Sequence, residues 1–178
     1  MIQLESLFTE FDDAAIAPAT WPIAASGLPE PYRDLLVHAE HMTVTVERFH
    51  ADAVDVEVLH AERHGAIYRR RILLRLRRSR QVVQFGLVEV NLDCLPTEAA
   101  EEILGGCTPL GRVLIEHDVL RIIEPVGYFR THWPQIWSVT PTIETYGRLG
   151  IIWSHGKQAV RVAEILTPIN FRQNEPKA

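Results

Sequence analysis

The sequence predicts an α+β fold: one domain of about six antiparallel strands, with helices inserted between them, enclosing a buried ligand cavity. Three observations carry this expectation. Segments of alternating, β-branched composition recur over 42–92 and 146–166, and the turns between most of them are of hairpin length, which joins antiparallel neighbours. Stretches with helical spacing lie before and between these segments. The length of 178 residues, with 47% apolar and 23% charged side chains, suits one domain around one core.

Taken in order, residues 4–16 read as an amphipathic helix, with Leu4, Leu7, Phe8, Phe11 and Ala15 near helical spacing. Ala17–Pro31 is rich in Pro, Ala, Ser and Gly and is expected to be an irregular connector. A short helix starts at Pro31, turns Tyr32, Leu35, Leu36 and Ala39 inward, and ends near His41. Period-two patterning then marks strands at Thr43–Phe49, Val54–His60, Ile67–Leu76 and Val82–Leu92. Pro96–Gly106 has acids in its early turns and glycine at its end, as a helix does. Thr108-Pro109-Leu110-Gly111-Arg112 leads a short helix into Val113–His117, followed by a strand at Val119–Glu124. Residues 125–145, with Trp133 and Trp137, carry no clear assignment. Tyr146–Ser154 and Gln158–Leu166 form a last hairpin around His155-Gly156-Lys157, and 172–178 reads as a frayed tail.

Strand parity singles out two charges. In the segment from Tyr68 to Leu76, one face collects Tyr68, Arg70, Ile72, Leu74 and Leu76, and the other takes Arg69, Arg71, Leu73 and Arg75. Arg70 is therefore the one arginine there with only aromatic and aliphatic neighbours on its face. In the last strand Glu164 shares a face with Val160, Val162 and Leu166. A buried charge without a partner costs several kcal/mol, on the order of what a domain can spare, so each needs the other, a network or a ligand. A closed pocket for a small anionic molecule is the expectation that follows.

Bulk properties exclude other classes. A net charge of -5 argues against a general nucleic-acid surface, and most of the seven arginines between Arg69 and Arg80 read as a solvated strand face and its turn. Cys94 and Cys107 are too few for a zinc framework, and His38/His41 and His60/His64 lack a carboxylate or cysteine at ligand spacing, so no metal site is expected. No apolar run reaches the ~20 residues of a membrane span, and the acidic N-terminus lacks a signal-peptide pattern. A cytoplasmic protein without a membrane or nucleic-acid partner is expected.

His41-Met42-Thr43, Arg70-Arg71-Ile72-Leu73-Leu74 and Thr108-Pro109-Leu110-Gly111-Arg112 resemble, in order, segments of the chorismate pyruvate-lyase family, also called 4-hydroxybenzoate synthases. Tyr146-Gly147-Arg148, Gly156-Lys157 and Ala163-Glu164-Ile165-Leu166-Thr167-Pro168 look like its closing hairpin, and the resemblance covers about residues 30–170. It implies a six-stranded sheet with a cavity under helical flaps, and the conversion of chorismate to 4-hydroxybenzoate and pyruvate without a cofactor. It places substrate contacts at Met42, Arg70, Leu110 and Glu164, with Met42 and Leu110 acting largely through their backbones and Arg70 and Glu164 as the catalytic pair. The sequence departs from the family at His41, where an acid is common. Between Lys157 and Glu164 it is one residue longer than the relative compared, which a bulge or turn must absorb to keep Glu164 inward. The same fold resembles effector-binding domains of bacterial regulators, so a non-catalytic aromatic-acid sensor is the alternative, with a lyase releasing another hydroxybenzoate isomer as a further one. Pathway and oligomeric state are not legible.

Overall fold

Seven strands hydrogen-bond into one antiparallel sheet in the computed structural model, which describes residues 19–132 and 143–169. The strands are β1 (Thr20–Ile23), β2 (Val54–His64), β3 (Ile67–Leu76), β4 (Val82–Asn91), β5 (Arg121–His132), β6 (Glu144–Ser154) and β7 (Lys157–Leu166). Their order across the sheet is β1-β5-β6-β7-β4-β3-β2. Two meanders, β2-β3-β4 and β5-β6-β7, therefore meet where β4 pairs with β7. The helices are α1 (Tyr32–Leu36), α2 (Met42–His50), α3 (Thr97–Gly105) and α4 (Leu110–Glu116). No helix among the described residues is long and apolar enough to cross a membrane.

All four helices pack on one face of the sheet. Tyr32, Leu35 and Leu36 of α1, Met42 and Val46 of α2, Ala99 and Ile103 of α3, and Val113 and Leu114 of α4 share a buried cluster with Tyr68, Ile72 and Leu74 of β3. The opposite face buries a second cluster, including Leu73, Phe85, Phe129 and Ile165. The alternation expected for β3 is thus present, with odd and even positions feeding different cores.

Hairpin turns follow their local chemistry. His155 and Gly156 both have positive φ, 49° and 73°, as a two-residue turn matched to strand twist requires. Gly106 ends α3 in the left-handed conformation, with φ 70° and its amide bonded to the Ile103 carbonyl.

Four sequence expectations need correction. Thr43–Phe49 is not a strand but most of α2, because its buried positions, Met42, Thr43, Thr45 and Val46, fall on one helical face. Alternating threonine and valine satisfies period two in the sequence, yet packing against α4 and β3 decides for helix. The connector at 17–31 is not wholly irregular: Thr20–Ile23 pairs with Tyr128–Thr131 as β1, an edge strand short enough to hold Pro22. It raises the strand count from about six to seven. The strand expected at Val119–Glu124 starts at Arg121 and runs on through Pro125 to His132, where Val126 bulges out of the pairing with β6. The first inserted helix also stops at Leu36, which leaves Ala39 exposed. The helix at 4–16, the tail at 172–178 and residues 133–142, with Trp133 and Trp137, lie outside the described residues.

Candidate functional site

Register turns the helix-covered face of the sheet into rows of side chains. Arg70, Val88, Val162, Gly150 and Pro125 stand in one row, and Ile72, Gly86, Glu164 and Arg148 in the next. Leu74, Gln84 and Leu166 form a third. Successive rows are roughly 6–7 Å apart, two residues along a strand. Glycines at 86 and 150 leave the middle of this surface low. A side chain at Gly86 would press on Ile72, 3.1 Å away, and one at Gly150 on Val162, 3.2 Å away.

Above that floor lies a partly enclosed cavity, roofed by the first turns of α2 and α4 and lined by Met42, Arg70, Leu110 and Glu164 among others. About 50 Å³ is open to the centres of water molecules. With the ~1.4 Å radius of water added, that corresponds to a chamber of roughly 200 Å³, the size of one substituted six-membered ring. The roof depends on Gly111, because a Cβ there would lie 2.9 Å from His41 Cβ and 3.0 Å from Thr43 Oγ1. Amides in the first turn of a helix have no intrahelical acceptor. Those of Met42, Thr43, Leu110 and Gly111 are taken by no turn or loop bond among the described residues.

Arg70 is 1% exposed, and its guanidinium faces this cavity without a carboxylate in ion-pair range among the described residues. Among the described residues its single hydrogen bond to a backbone group is long, 3.4 Å from Nη1 to the Ile103 carbonyl, and Nε has no partner. Burial draws its proton affinity below the ordinary arginine value and the Tyr68 hydroxyl partly restores it. A guanidinium nevertheless stays charged in proteins. Arg70 is therefore a fixed positive charge awaiting an anion.

Glu164 is on the inner face, as parity requires. The extra residue ahead of it is absorbed by a bulge: Ile152 pairs with Val160 and Trp153 with Gln158, so Ala159 is unopposed. Its partner is not Arg70 but Arg148, whose Nε donates to Glu164 Oε2 at 2.7 Å. Arg148 is 2% exposed and saturated. It also donates to the carbonyls of His38 at 3.0 Å and Glu40 at 3.0 Å, and more weakly to that of Leu36, tying the α1–α2 connection to the sheet. No hydrogen bond from the described residues reaches Glu164 Oε1. Of the partners expected for a buried carboxylate here, Arg70, a network or a ligand, Glu164 takes a network, in which Arg148 holds one of its oxygens.

His41 closes one corner of the roof. It accepts a bond from Arg121 Nε at 2.6 Å through Nε2, and burial together with the Arg121 and Arg148 charges lowers its pKa to about 4. The imidazole is therefore neutral near pH 7 and adds no charge. With Arg70 and Arg148 against Glu164, the cavity carries one unbalanced positive charge.

Several lining residues had no role assigned from the sequence, Arg148, Gln84 and Gly150 among them. The signal that isolates Arg70 applies to Arg148 as well, since it alternates with Tyr146, Gly150 and Ile152 along β6. Five of the seven arginines in the run pair with acids away from the cavity. Arg69 pairs with Glu89 at 2.8 Å, Arg75 with Glu57, Arg78 with Asp52, and Arg77 and Arg80 with Asp55.

No family model and no curated protein matches the sequence. Among solved structures, PhnF from Mycobacterium smegmatis overlays with a TM-score of 0.49 and 6% identity, over 73% of this chain and 64% of that one. The chain thus spans less than two thirds of that structure, and the site is read from its own residues.

Proposed function

We propose that the protein is a chorismate pyruvate-lyase, converting chorismate to 4-hydroxybenzoate and pyruvate. The observation that carries this reading is the uncompensated Arg70 guanidinium in a partly enclosed, ring-sized cavity whose remaining charges cancel. A planar cation suits two-point recognition of a carboxylate, which makes Arg70 the clamp on the ring acid. Glu164 Oε1 then faces the ring hydroxyl. Breaking the C3–O ether bond with loss of the C4 hydrogen aromatises the ring, and the departing enolpyruvate takes up a proton to become pyruvate. Aromatisation drives the step downhill, so positioning and charge stabilisation are the protein's contribution. First-turn amides at Met42 and Leu110 supply further donors for carboxylate oxygens.

A second reading, a sensor that holds an aromatic acid without converting it, is favoured by the cavity's size. About 50 Å³ for water centres suits a single ring better than one bearing an enolpyruvyl arm. Incubation of the purified protein with chorismate separates the two. The lyase reading requires 4-hydroxybenzoate and pyruvate in equal amounts, and their loss in Arg70→Ala. A folded protein that binds 4-hydroxybenzoate but forms no product is a sensor, and release of another hydroxybenzoate isomer would identify a related lyase.

A further inference from the structure

The cavity holds a second polar group that no protein atom satisfies. Gln84, in the third row, is 3% exposed, and among the described residues its buried Oε1 has no partner and its amide nitrogen donates no hydrogen bond. A buried amide left unpaired costs on the order of 1–3 kcal/mol, so its persistence in the wall of a cavity calls for a ligand. We propose that Gln84 is a specificity-determining residue that reads a hydroxyl at the end of the ligand remote from its carboxylate. This rests on the reading of the cavity as an aromatic-acid site and names which substituent it selects.

The register fixes the geometry. Gln84 lies two rows from Arg70, about 13 Å along the strand direction, and on the strand next to Glu164, one row away. A carboxylated ring held by Arg70 therefore directs its far substituent between Gln84 and Glu164. Glu164 accepts hydrogen bonds and donates none, whereas an amide offers a donor whichever way it is turned. A hydroxyl suits both, donating its proton to Glu164 Oε1 and accepting from the Gln84 amide. Hydrogen at that position leaves the amide unpaired, and a second carboxylate meets the Glu164 charge. Discrimination of this kind is large because the alternative is a buried polar group without a partner.

The test is calorimetric titration of the full chain with benzoate and 4-hydroxybenzoate at pH 7. The wild type binds 4-hydroxybenzoate at least tenfold more tightly than benzoate. In Gln84→Leu the preference falls to threefold or less, with Gln84→Met as the second variant should the first not fold. A preference above tenfold in a folded Gln84 variant overturns the assignment while leaving the cavity reading intact. Failure of benzoate and 4-hydroxybenzoate alike to bind the wild type removes the cavity reading and this inference together.

Discussion

Replacing Arg70 by methionine should make the free protein more stable and useless for binding. The guanidinium is 1% exposed, lacks a carboxylate partner among the described residues, and leaves Nε unbonded. Exchange of buried charged groups for apolar side chains of similar length gains roughly 1–4 kcal/mol, and for a chain of this size about 2 kcal/mol is a rise of roughly 4–8 °C in Tm. The same change removes two charge-assisted hydrogen bonds to a bound carboxylate, together about 3–5 kcal/mol, or at least a hundredfold in affinity. Differential scanning calorimetry with and without 4-hydroxybenzoate reads both effects at once. Ligand should raise the Tm of the wild type and leave that of the variant unmoved. A variant that melts several degrees below the wild type in the absence of ligand would show that the guanidinium holds the fold, and the argument from its isolation would fail.

Other consequences follow from the roof and from the Arg148 network. Gly111→Ala places a methyl 2.9 Å from His41 Cβ, so it should force α4 from α2 at a cost of about 1–3 kcal/mol and weaken binding more than tenfold, as denaturant titration and calorimetry would record. Arg148→Met strands Glu164 and the carbonyls of His38 and Glu40, so a loss of roughly 3–5 kcal/mol is expected, and a neutral result in urea unfolding would contradict the bonding described. Stability should also fall with pH through His41. Above pH 6.5 the imidazole is neutral both folded and unfolded, whereas between 6.5 and about 4 the unfolded chain takes up a proton that the folded protein refuses. At about 1.4 kcal/mol per pH unit the loss approaches roughly 3 kcal/mol near pH 4, and it should be absent from the wild-type/His41→Asn difference if His41 is not the group responsible.

Local chemistry in the sequence determined much of this protein. Parity placed Arg70 and Glu164 inward, and the His155-Gly156 turn and the Gly106 stop set element ends, whereas Met42 and Leu110 were expected at the cavity only from the family resemblance. What tertiary structure decided is where local preference was degenerate or where partners were distant in sequence. Thr43–Phe49 satisfies both periods, and only burial against α4 and β3 made it a helix. The pairing of Glu164 with Arg148 and not Arg70 depends on strand order, since β7 lies between β6 and β4 and a whole strand separates it from β3. That order also leaves Arg70 without a carboxylate and Gln84 without a partner among the described residues, because the residues beside them in their rows are valine and leucine. Periodicity assigns a side chain to a face, but which residues meet across it is fixed only when the sheet closes its register.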